Sequence, residues 1–313
     1  MDAVAMTVAE LRTLPPPERA ALVALLERTS GANAHPSLPE PQQLAVTRQG
    51  EAPPGERVVL ARLWGDLVGC AVLSPTRDGA AVVHVVVDPT VATTGHELDT
   101  ALLRRAVEET PAGSPVHLWI MQATPADDRR AASEGFVAER DLLQMRVALP
   151  LPEDVVAATR PLATRSFIPG RDDEAWVETN NRAFAGHPEQ GAWDRATLHA
   201  REQEPWFDPE GFRVLDVRGR LVGSCWTKRH GGTRPPMGEI YVISVDPRFH
   251  GKGWGRALTR AGLEWLASRS LTVGMLYVDG ANTAAVSLYR SMGFTTHHLD
   301  RSYVAPVAPA AAG

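Results

Sequence analysis

The feature that most restricts the fold of this chain is an internal repeat. Residues 82–89 match residues 240–247 when the sequence is shifted by 158 positions, and both segments are apolar runs that end in Asp-Pro. The same shift places the Gly-Phe pair at 135–136 on the Gly-Phe pair at 293–294. Separated segments that share one register are hard to obtain by chance, so we infer two diverged copies of one domain.

The length of the chain agrees with this division, because 313 residues correspond to two domains of about 150 residues each. Three prolines between positions 150 and 161 indicate a short connector between the copies. We therefore predict a first domain over residues 1–150, a linker over residues 151–160 and a second domain over residues 161–313.

Each copy alternates segments of strand and helix pattern, which predicts an α+β fold with a mixed sheet. Amphipathic stretches indicate helices over residues 16–29, 97–108, 127–133, 172–184, 195–202, 254–268 and 283–292. Apolar runs of strand length fall at residues 58–63, 67–74, 81–87, 116–121, 142–148, 213–217, 221–228, 239–245 and 275–278.

Charge and composition exclude several classes of protein. The net charge of −5 argues against nucleic acid as the main partner, because neutralising phosphates needs a clustered basic surface. No apolar run approaches the roughly 18 residues of a membrane helix, and the N-terminus lacks the pattern of a secretory signal. The two cysteines, Cys70 and Cys225, lie in strand-like segments, where we expect small buried hydrophobic side chains. We predict a cytoplasmic monomer that acts on small molecules and binds no metal.

A glycine-rich loop in the second copy is the most informative local segment. A predicted strand ends in Asp-Pro, glycines follow at Gly251, Gly253 and Gly255, and an amphipathic helix begins at once. Glycines let backbone N–H groups approach an anion closely, and the helix N-terminus adds about half a positive charge at the same point. Lys252 and Arg256 supply mobile counter-charge. The arrangement predicts a phosphate-binding loop.

Residues 250–255 resemble the pyrophosphate loop of the GCN5-related N-acetyltransferases (GNAT), whose pattern is Gln/Arg-x-x-Gly-x-Gly/Ala. His250 departs from the pattern at its first position, whereas both glycines are kept. The resemblance implies acetyl-CoA as cosubstrate and two tandem GNAT-like domains, each a mixed, mainly antiparallel sheet flanked by helices. It also implies a bulge near the end of the strand over residues 239–245, which splays from its neighbour. Backbone groups of Ile243 and Val245 would then pair with the pantetheine arm and polarise the acetyl carbonyl.

A second segment resembles the closing signature of the same family, which is a strand, an Asn that caps the next helix, a Tyr seven residues later and Gly-Phe. The matching residues are Asn282, Tyr289 and the pair at 293–294. Seven residues are about two turns, so Asn282 and Tyr289 share one helix face. The resemblance implies acetyl-CoA contacts from Ile243, Ser244, Val245, His250, Gly251, Lys252, Gly253, Trp254, Gly255, Arg256, Asn282, Thr283, Ala284, Ala285, Val286 and Ser287.

Three further segments, residues 180–193, 206–211 and 226–228, resemble the mycothiol synthase family, whose members are tandem acetyltransferases of about this length. The His-Pro-Glu-Gln-Gly stretch in the first segment is the specific part. The resemblance implies transfer of an acetyl group from acetyl-CoA to the cysteinyl amine of desacetylmycothiol, which yields mycothiol and CoA. It also implies substrate contacts from Glu40, Glu189, Lys228, Glu239 and Tyr277.

The residue chemistry is consistent with this reaction. An α-amino group has a pKa of about 7.7 to 8, so near neutral pH a modest base can deprotonate it. Glu239 is the candidate general base, through a water or directly. Tyr289 is the candidate hydrogen-bond donor to the departing thiolate, since a phenol of pKa about 10 need not transfer its proton completely.

The first copy lacks these groups. Glu239 corresponds to Ala81, and Tyr289 corresponds to Ala131. The loop over residues 92–97 has no Lys or Arg, and Glu97 replaces a glycine. A carboxylate that faces a pyrophosphate is repulsive, so we expect weak or no CoA binding in this copy. We predict that the first copy is non-catalytic and that it supports the fold and closes one side of the substrate pocket.

Two other functions remain open at this stage. One is an acetyltransferase that acts on another amine, such as an aminoglycoside or a peptide terminus. The other is a CoA-binding module without activity. The second is disfavoured because the second copy keeps a candidate base, a candidate acid and the glycine loop together.

Overall fold

The computed structural model describes residues 4–305 except for 34–35, 49–51, 77, 92–94, 187–190 and 232. The chain divides into two compact units. The first comprises Met1–Asp141 and Leu299–Gly313, and the second comprises Leu142–His298. Among the described residues, no helix is both long and apolar enough to cross a membrane.

The first unit is a mixed sheet with helices. Its strands are β1 (Ala5–Glu10), β2 (Arg57–Leu63), β3 (Asp66–Pro75), β4 (Ala81–Val87) and β5 (Val116–Ile120), and its helices are α1 (Pro16–Asn33), α2 (Glu40–Thr47), α3 (Gly95–Glu108) and α4 (Pro125–Ser133). Strands β1 to β4 pair antiparallel in chain order, and β4 pairs parallel with β5.

The second unit repeats this plan. It contains α5 (Glu153–Ala157), β7 (Arg165–Ser166), α6 (Asp173–Ala183), α7 (Arg195–Glu202), β8 (Phe212–Val217), β9 (Arg220–Arg229), β10 (Met237–Val245), α8 (Trp254–Ser268), β11 (Val273–Asp279) and α9 (Thr283–Arg290). Strands β7 to β10 pair antiparallel in chain order, and β10 pairs parallel with β11. The predicted α+β fold and the tandem repeat are confirmed.

Two strands cross the boundaries between the units. In β6 (Val137–Ala148), the residues from Leu142 onward pair antiparallel with β11 of the second unit. In β12 (Thr295–Ala305), the residues from Arg301 onward pair antiparallel with β5 of the first unit. Each sheet is therefore completed by the last strand of the other copy.

This exchange places the division of the chain differently from the predicted boundaries. The units meet at Asp141 and Leu142, inside a strand, and residues 299–313 belong to the first unit. The predicted linker over residues 151–160 contains α5. Proline and glycine mark loops, but long-range strand pairing leaves no local pattern in the sequence, so the exchange could not be predicted from it.

One of the two hydrophobic cores described in the second unit lies between its sheet and helix α8. Leu258, Leu263 and Leu266 of α8 are fully buried and pack with Ile240 of β10. Helix and sheet approach closely at Gly262, where a β-carbon would lie 2.4 Å from the Sγ atom of Cys225. This packing fixes the strand that precedes the glycine loop and the helix that follows it.

Both cysteines are free and buried, as predicted. Burial raises the pKa of the Cys70 and Cys225 thiols to about 12, so both stay protonated at neutral pH. Neither thiol is a nucleophile in this structure, because the thiolate is the reactive form.

Candidate active site

Strand β10 carries a bulge and then separates from β11. Its register against β9 shifts between Ile240 and Val242, so that Tyr241 is the extra residue. Its described pairing with β11 runs from Met237 to Ile240 and stops there. The last residues of β10 therefore have one backbone edge that is not paired with β11. The predicted bulge and splay are confirmed, although the bulge lies in the middle of the strand.

The Glu239 carboxylate lies just before the bulge. The residue is only 8% exposed, and its Oε2 atom lies 2.8 Å from Nε2 of His230. His230 follows the last residue of β9. His230 was not among the residues predicted from the sequence. Its position two residues after Lys228, on an alternating strand pattern, was the available signal.

Neighbouring strands place further polar side chains on the face that carries Glu239. Lys228 of β9 pairs with Glu239, which pairs in turn with Met275 of β11. Tyr277 lies two residues beyond Met275 and pairs with Gln144 of β6. Since side chains alternate along a strand, Lys228, Glu239, Tyr277 and Gln144 share one face. We call these four residues the polar row.

Hydrogen bonds connect one end of the polar row. Nε2 of Gln144 donates to the hydroxyl oxygen of Tyr277 at 2.8 Å. Nε of Arg146 donates to Oε1 of Gln144, also at 2.8 Å. Gln144 is 2% exposed, so its amide has a fixed orientation. Both Gln144 and Arg146 lie in a strand that the sequence analysis assigned to the other copy.

Aromatic rings surround the ammonium group at the other end of the row. Nζ of Lys228 lies 4.7 Å from the centroid of the Trp206 ring and 5.4 Å from that of Tyr241. The two rings are themselves 4.8 Å apart. Cation–π attraction holds the ammonium beside the bulge.

The structure brings together three of the five predicted substrate contacts. Lys228, Glu239 and Tyr277 belong to the polar row. Glu40 is the first residue of α2 in the first unit, a helix that the sequence analysis did not predict. Glu189 lies outside the described residues.

The glycine loop joins β10 to α8. Gly251 and Gly253 have φ angles of 75° and 74°, in the left-handed region that favours glycine. Gly253 is the N-cap of α8, and no side chain caps the helix. A β-carbon on either glycine would meet no atom within 4 Å. The first N–H groups of α8 thus lie behind an open loop, as an anion site requires.

Two side chains fold the loop back onto the end of β10. His250, at the position where the sequence departs from the family pattern, has its Nε2 atom 2.9 Å from the carbonyl oxygen of Val245. The buried Asp246 carboxylate accepts bonds from the N–H and the guanidinium of Arg248 and from Arg182. These hydrogen bonds hold the pKa of Asp246 well below its usual range.

The two side chains predicted to supply counter-charge, Lys252 and Arg256, differ in how firmly they are held. Nζ of Lys252 lies 4.9 Å from the Phe249 ring and 5.2 Å from the Trp254 ring, on the exposed side of the loop. The Arg256 guanidinium instead donates to Oγ1 of Thr159 at 2.9 Å and to Oγ of Ser291 at 2.7 Å. Arg256 is held in place rather than mobile.

Helix α9 begins as predicted. The Asn282 side chain accepts a hydrogen bond from the N–H of Ala285 at 3.1 Å and caps the helix. Val286 is buried in the core of the second unit, so its side chain is not available to a ligand. Exposed residues of this segment are Asn282, Thr283, Ala284 and Ser287.

Tyr289 lies deeper in the same helix. Its ring is 7% exposed and 5.7 Å from that of Phe294. Burial, with a smaller contribution from Cys225, raises the pKa of the phenol above its ordinary value. The hydroxyl therefore keeps its proton at neutral pH and can act as a donor.

The first unit lacks the bulge. Residues 69–75 of β3 pair with residues 81–87 of β4 without a register shift. Its β4 and β5 do separate, because the described pairing ends at Val83 and Leu118. Ala81 and Ala131 stand where the second unit has Glu239 and Tyr289. The parallel strand pair is thus repeated, whereas the candidate acid–base residues are not.

Comparison with known proteins agrees with this architecture. A model of the Acetyltransferase (GNAT) family matches residues 174–294. A GCN5-related N-acetyltransferase from Sphaerobacter thermophilus superimposes with a TM-score of 0.67 at 21% identity, over 97% of this chain and 96% of that chain. A tandem GNAT protein from the clavulanic acid biosynthesis pathway gives 0.68 at 16% identity, over 98% and 100%. These likenesses establish the fold.

Sequence relatives are closer. A mycothiol acetyltransferase from Thermobispora bispora is 44% identical over 95% of this chain and 99% of its own length. One from Thermomonospora curvata is 42% identical over 94% and 95%. The chain belongs to the mycothiol acetyltransferase family. The resemblance seen in three short segments thus extends over nearly the whole chain, and the protein is an acetyltransferase with two GNAT-type units.

Proposed function

We propose that this mycothiol acetyltransferase family member transfers the acetyl group of acetyl-CoA to the cysteinyl amine of desacetylmycothiol. The observation that carries the proposal is the order of four features from β10 to α8. A buried carboxylate is followed by a bulge, by a strand edge that β11 does not pair with, and by a helix N-terminus without a side-chain cap. The name of the relatives supports the acceptor. The proposed enzyme is a cytoplasmic monomer that uses no metal.

Two features of the chain support a site for a CoA thioester. The open glycine loop and the first turn of α8 suit the diphosphate, with Lys252 as counter-charge. The edge of β10 at Ile243 and Val245 suits the amides of the pantetheine arm, since β11 does not pair with it. The proposed contacts are Ile243, Ser244, Val245, residues 250–256 and residues 282–287.

Glu239 is the proposed general base. It accepts the amine proton, through a water or directly, as the nitrogen–carbon bond forms and the carbon–sulfur bond breaks. Lys228 and Tyr277, its neighbours in the polar row, would bind hydroxyl groups of the acceptor. Glu40 and Glu189 remain predicted acceptor contacts.

Tyr289 is the proposed donor to the leaving sulfur. Its raised pKa keeps the phenol protonated, so it can stabilise the thiolate with a charge-assisted hydrogen bond. The burial that raises this pKa also limits full proton transfer. Donation of a strong hydrogen bond is therefore the role that the energetics favour.

We propose that the first unit is not catalytic. The absence of the bulge in its described β4 and the alanines at positions 81 and 131 support this role. Isothermal titration should give one acetyl-CoA equivalent per chain of measurable affinity. Two equivalents of similar affinity would contradict the prediction of weak or absent CoA binding in this unit.

The decisive assay measures CoA release with desacetylmycothiol as acceptor. Glu239→Gln should lower kcat by about 10²- to 10⁴-fold, the usual contribution of a general base. The matched control is Glu139→Gln, because Glu139 of the first unit is also held by a histidine nitrogen at 2.8 Å. Turnover only with an aminoglycoside or a peptide amine would select another acceptor. Binding without turnover of any amine would indicate a CoA-binding module.

A further inference from the structure

We propose that His230 is a positioning residue for acetyl transfer and holds the Glu239 carboxylate in the orientation that accepts the amine proton. The inference rests on the proposed role of Glu239 as general base. It starts from one contact, the 2.8 Å separation between Nε2 of His230 and Oε2 of Glu239.

The direction of this hydrogen bond follows from the chemistry of its partners. An ionised carboxylate can only accept, so the ring nitrogen that faces it bears the proton. The Glu239 side chain is 10% exposed and that of His230 is 26% exposed. Partial shielding from water makes a bond to a charged acceptor stronger than it would be on an open surface.

The backbone fixes the imidazole relative to the carboxylate. The N–H of His230 donates to the carbonyl oxygen of Met237 at 3.1 Å, which extends the hydrogen-bonded ladder between β9 and β10. The N–H of Met237 donates to Oγ1 of Thr233 at 3.1 Å and fastens the connection between these strands. The distance between the two side chains is therefore set by strand pairing rather than by a mobile loop.

The restraint matters because a carboxylate turns easily about its last torsion. A bond from His230 to Oε2 fixes that torsion and leaves Oε1 for the acceptor amine or its water. Loss of the bond would reduce the fraction of enzyme with a correctly oriented base and would not affect acetyl-CoA binding. We therefore expect a lower kcat, because the orientation of the base affects the activation barrier of acetyl transfer.

The first copy has lost both partners of this pair. Ala81 corresponds to Glu239, and Thr76 corresponds to His230 in the register that aligns β3 with β9. An imidazole with a purely structural role in closing the strand connection would be equally useful in both copies. Its presence only beside the carboxylate indicates that it serves the carboxylate.

The test compares His230→Ala with His230→Gln in the CoA-release assay. We expect His230→Ala to lower kcat by about 10- to 100-fold, with KM for acetyl-CoA within about 2-fold of the wild type. His230→Gln should restore kcat to within about 5-fold, because its amide N–H can donate to the same carboxylate oxygen. The control is His117→Ala, which removes a histidine–glutamate contact of the same length and the same histidine exposure, 26%, from the first unit.

A second comparison separates this inference from the proposed function. In a Glu239→Gln background, His230→Ala should cause no further loss of kcat. If Glu239→Gln alone left kcat unchanged, the proposed role of Glu239 would fail. If Glu239→Gln abolished turnover while His230→Ala did not lower kcat, only the role of His230 would be overturned. The role of His230 would also be overturned if His230→Ala and His230→Gln lowered kcat to the same extent and lowered the melting temperature to the same extent.

Discussion

At the scale of single residues, burial and hydrogen-bond partners shift the pKa values of several groups of this enzyme. The Tyr289 phenol, the Cys225 thiol and the Asp300 carboxyl all have raised pKa values, and the main cause in each case is removal from water. The buried Asp246 carboxylate has a lowered pKa instead, because arginine and backbone donors surround it. Buried groups of this enzyme therefore have pKa values shifted in opposite directions, according to the partners present.

Tyr289→Phe tests the leaving-group donor. The substitution keeps the buried ring and removes only the hydroxyl, so we expect a decrease in kcat of about 10- to 100-fold and an unchanged dissociation constant for acetyl-CoA. Tyr303→Phe is the matched control, because Tyr303 is a buried tyrosine of the first unit whose hydroxyl donates to Asp128. An equal loss of kcat in both variants would contradict the assignment.

Asp300 predicts a pH dependence of stability. Burial raises the pKa of this carboxyl to about 6, above an unfolded value of about 3.9. The folded state therefore binds the proton more tightly, and stability falls as pH rises between these values. Asp300→Asn should raise the free energy of unfolding by about 1 to 3 kcal/mol at pH 7.5 and by much less at pH 4.

Urea unfolding at both pH values measures this difference. Asn can still accept the bond that Asp300 accepts from the N–H of Gln122 at 2.8 Å. The exposed Asp66 is the control, and Asp66→Asn should change the urea midpoint little at either pH. The same gain at both pH values would exclude ionisation of Asp300 as the cause.

At the scale of elements, the two halves of β10 differ in their pairing. Its first half is paired on both sides, and its second half, which β11 does not pair with, is the edge proposed to bind the pantetheine arm. The bulge at Tyr241 lies at the transition between them. The corresponding strand β4 is regular against β3, so the two copies differ at the strand that carries the candidate base in the second copy.

A pair of equivalent glycines tests the placement of β10. A β-carbon on Gly223 would lie 2.9 Å from the carbonyl oxygen of Ser244, a backbone atom of β10. On Gly69, the equivalent in the first copy, it would lie 2.9 Å from a flexible Leu102 methyl group and 3.3 Å from the Val86 oxygen. Both alanine variants should lose about 1 to 3 kcal/mol of stability.

Only Gly223→Ala should also raise KM for acetyl-CoA, because it displaces the strand edge proposed to bind the pantetheine arm. Steady-state kinetics at a temperature well below both melting transitions would measure this difference. A similar rise in KM for Gly69→Ala would argue for a general loss of structure instead.

At the scale of the whole molecule, strand exchange makes the two copies interdependent. Seven residues of β6, from Leu142 to Ala148, pair with β11, and Met145 and Val147 pack into the core of the second unit. Residues 301–305 of β12 pair with β5 of the first unit. Neither copy, cut at the boundary that the sequence indicates, keeps its own sheet complete.

Fragments of the chain test this exchange. The fragment 142–298 should be soluble and melt cooperatively, because it contains every strand of the second unit. The fragment 161–313 should aggregate or lack a cooperative transition, since β11 becomes an exposed edge and the end of β12 has no partner. Circular dichroism melting curves of the two fragments would decide, and the reverse result would contradict the unit boundaries.

Much of the fold and part of the site followed from local patterns. Alternating apolar residues predicted the strands, and glycines predicted the loop before α8. Asn282 and Tyr289 were found because a helix cap and a helix face are local features. His230, Gln144 and Arg146 were missed, because their contacts with Glu239 and Tyr277 depend on which strands become neighbours. The helices α2 and α5 were missed because each is short and begins after a proline.

The sequence by itself determined the repeat, the α+β order of elements, the glycine loop before α8 and the alanines that replace Glu239 and Tyr289 in the first copy. These properties depend on residue types at fixed spacing, which local steric and hydrogen-bonding preferences translate directly into structure. Tertiary structure alone decided the partners of β6 and β12, the polar row and the pairing of His230 with Glu239. Those features arise from contacts between segments far apart in the chain, and the free energy of burying them together selects one register among many.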